Sequence, residues 1–508
     1  MVEWSDGYVT NIEYTSGFYP GLSPLAQNFA LLFRGHEPVS LSQGFTYCEL
    51  GCGHGFSTAV VAAANPKGSF WGIDFNPSHI ASAEQLARAA GIANLTYVEQ
   101  SFAEALRSDL PRFDFISLHG VWSWVTRENR RAIVDLIYAK LKPGGVVYIS
   151  YNAMPGWAQN APLRQLFVEW LRGQGELTPE RVNGALAFAE RVRKAGAAYF
   201  EINPLSGKRL DAIASMSRNY IAHEYFNREW SPSYHSDVAA DLAAAKLVFA
   251  GSSLISEQID QLMIKPEALE LLKEVSDSVA RETVRDYFVN QQFRRDLFAR
   301  GARQLSARER NDRLLATRFA LRAPPPQLPM KVRFPLGEVS LNPTPYQLVL
   351  DALAEGPLTL RQILEKPGIA ALGDNAGFQA VVILVAATFV APALDPDGEE
   401  QRRVSTARFN QAMFSRQAGG RQEHTLASPL LGTGITVANI EQLFLTVEAA
   451  KDSDPVGSLM RLMQERQQQL LKEGKPVAST EEARIEVERT FAEFRRTRLP
   501  TYRQLGIV

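Results

Sequence analysis

The stretch Glu49-Leu50-Gly51-Cys52-Gly53-His54-Gly55 sets three glycines at alternate positions between an apolar run and a helical one. Glycines at such a junction let the backbone turn sharply and approach a ligand, and the helix beyond offers free N–H groups with partial positive charge. Two acids frame this loop. Glu49 stands two residues before Gly51, and Asp74 closes the next apolar run, 19 residues after Gly55. A dinucleotide loop would carry Gly or Ala where Phe56 stands, and Glu49 would repel a pyrophosphate. A carboxylate at Glu49 suits a ligand with a sulfonium and an ammonium, and Asp74 suits both hydroxyls of a ribose. The pattern therefore predicts an S-adenosylmethionine (AdoMet) site rather than a nicotinamide site.

The elements that must hold these residues alternate regularly. Strands are predicted at Phe45–Leu50, Phe70–Ile73, Leu95–Val98, Phe113–Leu118 and Val146–Ser150, the last after the turn Lys142-Pro143-Gly144-Gly145. Helices are predicted between them, over Ser57–Ala64, Ser78–Ala90 and Arg127–Leu141. Strand–helix alternation implies an α/β unit with a parallel sheet, which binds ligands at the carboxyl ends of its strands. From about Ala161 the pattern turns helical, over Leu163–Arg172, Pro179–Ala195, Ser233–Phe249 and Pro266–Leu297. Pro324-Pro325-Pro326 reads as a stiff linker. Beyond it, Tyr346–Leu353, Leu358–Glu365 and Phe378–Phe389 with a closing apolar strand suggest a winged-helix-like unit, and Val456–Arg495 reads as helical. The expected division is 1–160, 161–323, 324–400 and 401–508.

On these residues the N-terminal region resembles a class I, Rossmann-like, AdoMet-dependent methyltransferase. The resemblance implies that Gly51, Gly53 and Gly55 carry the methionine part of the cofactor, that Asp74 holds the ribose with Phe75 beside it, and that Ser101 and Phe102 flank the adenine. A narrower resemblance rests on His119-Gly120-Val121-Trp122-Ser123-Trp124-Val125, Ser150-Tyr151-Asn152-Ala153-Met154-Pro155-Gly156-Trp157, Ala222-His223-Glu224-Tyr225-Phe226-Asn227 and Ala245-Lys246-Leu247. Their order is similar to methyltransferases with a methyltransferase regulatory domain, a group that includes bacterial protein-lysine methyltransferases. It runs from about residue 10 to the C-terminus.

Methyl transfer asks the protein to position a nucleophile with a free lone pair, and a lysine must first lose a proton that desolvation loosens. Trp122, Trp124, Tyr151 and Trp157 follow the fourth and fifth strands, where an aromatic pocket belongs. His119 is a candidate base or hydrogen-bond partner that also touches the cofactor, and Asn152 could hold an amine through its oxygen. Tyr14 and Tyr19 precede the first strand and could fold over the site. His54 reads as a surface group. His223, Glu224, His235 and Asp237 lack a metal-binding spacing and read as a hydrogen-bonded cluster near the mouth of the site.

Composition narrows the alternatives. The 508 residues carry 54 Lys+Arg and 55 Asp+Glu, a net charge of −1, which argues against bulk binding to nucleic acid or anionic membrane. Phe293–Arg322 holds nine Arg against Asp296, Glu309 and Asp312, and reads as a docking or solvated face. Two cysteines exclude a disulfide framework and a Cys-rich zinc module. The most apolar run, Ala380–Ala387, is too short to span a bilayer. The expectation is a cytoplasmic enzyme with AdoMet as cofactor and no metal, acting on a protein, with accessory domains that select the substrate or form a homodimer. A small-molecule methyltransferase and an AdoMet-responsive DNA-binding regulator are the rival readings. Arg361 and Lys366, offset by Glu365 and Asp374, make a poor recognition helix.

Overall fold

The computed structural model describes residues 17–418, 423–466, 471–472, 475–476 and 479–508. Seven strands form one sheet: β1 (Thr46–Leu50), β2 (Ser69–Asp74), β3 (Leu95–Glu99), β4 (Phe113–Leu118), β5 (Leu141–Asn152), β6 (Val248–Ser252) and β7 (Phe293–Ala299). Their order is β3-β2-β1-β4-β5-β7-β6. The first five strands run parallel, and β7 pairs antiparallel with both β5 and β6. Order reverses between β1 and β4, so the ligand crevice belongs at the carboxyl ends of those two strands. The alternation of strands β1 to β5 with the helices Phe56–Ala64, Pro77–Ala89 and Arg127–Lys140 follows the sequence pattern closely. The expected turn at 142–145 lies within β5, where the pairing with β4 is irregular.

Two strands correct the helical reading past residue 161. The 233–249 stretch is a helix only over His235–Ala243 and then becomes β6. The 266–297 stretch holds two helices, Pro266–Lys273 and Ser278–Val289, and ends in β7. Both strands had been hidden by helical neighbours. Leu297, Phe298 and Ala299 of β7 are fully buried, so its apolar residues form a continuous run rather than an alternating one.

Between β5 and β6 lie the helices Ala161–Leu171, Pro179–Lys194, Pro204–Ala214 and Arg218–Tyr225, packed around Phe167, Leu186, Ile213 and Tyr225. After β7, the strand Arg318–Leu321 pairs with both Leu358–Thr359 and Val390–Ala393, with the helices Pro343–Ala354 and Asp374–Ala386 packed beside them. The central strand of this small sheet thus precedes the proline linker, and a single strand follows the last helix instead of a hairpin wing. The apolar 380–387 run is a buried helical segment: Ala380, Val381 and Leu384 are enclosed. No helix among the described residues is long and apolar enough to cross a membrane.

Most arginines of the 293–322 stretch are engaged within the chain, although Arg303, Arg308 and Arg313 are exposed. Arg294 is buried in ion pairs. Arg303 and Arg313 both pair with Glu37. Arg300, Arg310 and Arg318 donate to main-chain carbonyls.

Candidate active site

The chain leaves β1 through Gly51 and enters the helix Phe56–Ala64 at Gly55. Gly53 has φ +54°, and a Cβ added there would meet nothing within 4 Å, so the loop leaves open space at that point. Gly55 has φ +68°, and a Cβ there would strike the Tyr97 ring and Ala83 at about 2.5 Å. Gly55 thus permits close helix–strand packing and does not line the cavity, whereas Gly51 and Gly53 do.

Asp74 ends β2 and is held from three sides. Its Oδ2 accepts from the Gly53 amide at 2.8 Å, and its Oδ1 accepts from the Asn76 amide at 2.9 Å and lies 3.2 Å from His79 Nδ1. Asn76 in turn caps the helix Pro77–Ala89. Asp74 thereby ties the Gly loop to the second strand. Glu49, on β1, is 5% exposed and accepts from the Thr58 hydroxyl. Burial pushes its carboxyl up to about 7, with the neighbouring Asp74 adding to the shift and Thr58 opposing it.

Around these acids lies a cavity of about 210 Å³. Cofactor sites usually hold roughly 300–1,000 Å³, so a whole cofactor would extend into its open mouth. Phe75, Gln100, Ser101 and Phe102 line it beyond β2 and β3. Ser101 is occupied by a capping box with Glu104. Gln100 is the more available polar group, because its buried Oε1 has no partner among the described residues. Gln100 directly precedes Ser101, the residue expected beside the adenine.

His119, at the end of β4, also lines the cavity. Its Nδ1 lies 2.8 Å from the Tyr148 hydroxyl and 3.2 Å from Ser150 Oγ, and Tyr19 stacks on its ring at 3.7 Å. Burial, with Arg295 nearby, lowers its pKa to about 3. It is therefore a neutral hydrogen-bonding group at ordinary pH, too weakly basic for a general base. Tyr19 lines the cavity as well, while Tyr14 lies outside the described residues. His54 faces the cavity beside His79 rather than the surface.

The opposite wall comes from two other elements. Trp124 and Asn129 follow β4, and His223, Glu224 and Asn227 come from the helix Arg218–Tyr225 and the residues after it. The expected His–Glu cluster is thus split. His235 lies instead against Asp296, 3.1 Å away, and Asp237 caps its own helix.

Of the four aromatic candidates only Trp124 reaches the cavity. Trp122 is wholly buried under the sheet with Arg130 over its ring. Tyr151 is buried too, and its hydroxyl donates to Asp296 at 2.7 Å. Trp157 packs on Tyr225 and Trp230 in the helical insertion. Asn152 is 5% exposed; its main-chain amide bonds to Ser123 Oγ and its main-chain carbonyl to the Ser233 amide, and its buried side-chain Nδ2 has no partner among the described residues. None of Trp122, Tyr151 and Asn152 lines the cavity, so they leave the set of catalytic candidates. Tyr151 and Asn152 sit on the part of β5 that pairs with β7, and Trp122 lies buried in the short turn after β4.

Among the described residues, the cavity wall carries three carboxylates, Glu49, Asp74 and Glu224, four histidines, and neither Lys nor Arg. Such a wall disfavours phosphates and favours cations. With open space at Gly53 and an acid closing β2, the residues fit AdoMet, whose ends are a ribose-linked adenine and a cationic methionine.

Comparison with known proteins agrees. Residues 48–147 match the family model described as "Methyltransferase domain", and residues 217–300 match "Predicted methyltransferase regulatory domain". An uncharacterized protein of Synechocystis sp. is 40% identical over 505 residues, 99% of each chain. The structure of PKMT2 from Rickettsia typhi superposes with TM-score 0.70 at 17% identity, covering 97% of this chain and 99% of that one. The same protein in complex with AdoHcy gives TM-score 0.69 at 18% identity, covering 95% and 98%. These structural likenesses are likenesses of fold. Strand order, an acid-lined cavity with no Lys or Arg among the described residues and the two matched domains lead to one assignment: the chain belongs to the class I AdoMet-dependent methyltransferases that carry a methyltransferase regulatory domain.

Proposed function

We propose that this enzyme methylates a lysine side chain of a protein in the cytoplasm. The observation that carries the reading is a cavity wall with three carboxylates and, among the described residues, no Lys or Arg, which suits a cationic cofactor and leaves an acid for a cationic acceptor. The likeness of fold to PKMT2 over nearly the whole chain supports it. So does the mass outside the seven-stranded sheet, which exceeds the needs of a small acceptor.

In this reading Asp74 accepts the ribose hydroxyls, Gln100 and Phe102 meet the adenine with Ser101 capping the helix beside it, and Glu49 faces the methionine ammonium. Bound AdoMet supplies an electrophilic methyl group. The protein's own part is to hold the acceptor nitrogen in line and to exclude water. Trp124 and the Tyr19–His119 stack give the acceptor an apolar, partly dry passage. Removing water weakens the ammonium form of a lysine and so exposes its lone pair.

The test is transfer of a labelled methyl from AdoMet to a protein extract, followed by acid hydrolysis. Label in methyl-lysine is the expected result. Label confined to a metabolite extract would overturn the protein-lysine reading in favour of a small acceptor.

A further inference from the structure

Two of the three cavity carboxylates are engaged: Glu49 by Thr58, and Asp74 by Gly53, Asn76 and His79. The third, Glu224, makes no hydrogen bond or ion pair with the described residues. It belongs to the helix Arg218–Tyr225, inside the stretch that matches the regulatory-domain model. Glu224 enters the cavity with His223 and Asn227 from this helix and the residues after it, and not from the elements that carry the Gly loop, Glu49 and Asp74.

We infer that Glu224 receives the ammonium group of the acceptor lysine and takes its proton, so that the regulatory domain supplies the acceptor half of the active site. This rests on the lysine reading above. In the step, the ammonium proton moves to the Glu224 carboxylate. The lone pair so freed forms the N–CH₃ bond as the S–CH₃ bond breaks and the thioether departs, and glutamic acid returns its proton to solvent.

The surroundings favour this exchange. Burial raises the Glu224 carboxyl to about 7, with Arg209 opposing the shift. A lysine near 10.4 is then mismatched with its acceptor by about 3 pH units instead of about 6, and desolvation of the amine narrows the gap further. Arg209 makes no ion pair with Glu224: its guanidinium is held by the Tyr225 hydroxyl at 2.7 and 3.0 Å and acts on the carboxyl only through its field. The other titratable groups facing this space are Tyr220, Tyr225 and His223 on the same helix, Tyr19 and His119 opposite, and His54, His79, Glu49 and Asp74 beyond.

The test uses the full chain loaded with AdoHcy, with n-butylammonium as the probe of the acceptor site and n-pentanol as its neutral counterpart, titrated by NMR. Glu224→Gln is expected to weaken n-butylammonium at least tenfold, leave n-pentanol within twofold, and leave AdoHcy affinity within twofold. Glu224→Asp, which keeps the charge, should restore the probe to within about threefold. In the unmutated protein, probe affinity should fall about five- to tenfold from pH 8 to pH 6 as Glu224 takes up a proton. Equal probe binding in Glu224→Gln overturns the inference. So does loss of AdoHcy together with the probe in a folded variant, which would give Glu224 to the cofactor. If Glu224→Gln does not fold, the pH titration of the unmutated protein decides, and a flat response between pH 6 and 8 overturns the inference. These outcomes are independent of the labelling experiment: absence of methyl-lysine removes the protein substrate but leaves the ammonium site to be decided by the probe.

Discussion

Glu49 sets stability against ligand binding. Its carboxyl is raised to about 7 in the folded protein, so the fold holds this proton more tightly than the unfolded chain does. Its contribution is fully present below the ordinary glutamate value and is lost as pH rises to about 7, a change on the order of 3 kcal/mol. Glu49→Gln should therefore melt higher than the unmutated protein at pH 8 without cofactor, and bind AdoMet more weakly; a lower melting point would refute the burial argument. A cation draws Glu49 toward its ionised form, so AdoMet affinity should climb between pH 6 and pH 8, measured by calorimetry. Asp74 is the second test. In the proposed role of Asp74 as partner of the ribose, Asp74→Ala removes a charge-assisted bond and frees the Gly53 amide, and is expected to cost about 1.5–3 kcal/mol of AdoMet affinity, or roughly 10- to 150-fold. His119 gives the third. Its pKa near 3 keeps it neutral, so His119→Gln should lower turnover while leaving every inflection of the pH–rate profile in place. An inflection near pH 6.5 that vanished in the variant would restore His119 as a base.

At the scale of elements, the join between β5 and β7 matters most. Arg294 on β7 pairs with Asp286, Asp296 and Glu282, and Asp296 also meets His235 and the Tyr151 hydroxyl. Burial alone would raise Asp296, but Arg294 and His235 hold it down to about 2. Asp296→Asn should cost about 3–5 kcal/mol of stability, because it strips a fully buried guanidinium of a partner, and a thermal melt at pH 7 checks it. Tyr151 and Asn152 show how far sequence reaches. Their position after the expected end of the fifth strand made them look like site residues; the order of β1–β5 was legible, but β5 runs from Leu141 to Asn152 and so includes them. The antiparallel strand that covers them lies some 140 residues away, and its apolar run carries no local mark of that partnership. Glu49, Asp74, Gly51 and Gly53 were legible as cavity residues because short-range spacing brings them together. Glu224 was legible only as one of a cluster near the mouth, two of whose members lie elsewhere, and Asn129 was not, since it meets the loop only through the tertiary fold.

In the whole molecule, the helix Phe56–Ala64 is buried along all nine residues. Its inner face packs on the sheet. Its outer face meets Phe409, Met413, Leu426 and Ile435 of the C-terminal region, and Asn65 at its end donates to the Gly432 carbonyl at 2.8 Å. The Gly loop that opens this helix is therefore clamped by residues more than 350 positions away in sequence. Ligand binding at the loop and local opening of the C-terminal region must then share free energy. AdoMet is expected to slow amide hydrogen exchange across Thr425–Ser428 and Thr433–Thr436, although neither strand lines the cavity. Exchange that ignores the cofactor there would mean that the clamp is passive. Exchange that slows would make the far end of the chain a reporter of cofactor occupancy, and a surface from which any bound partner could sense it.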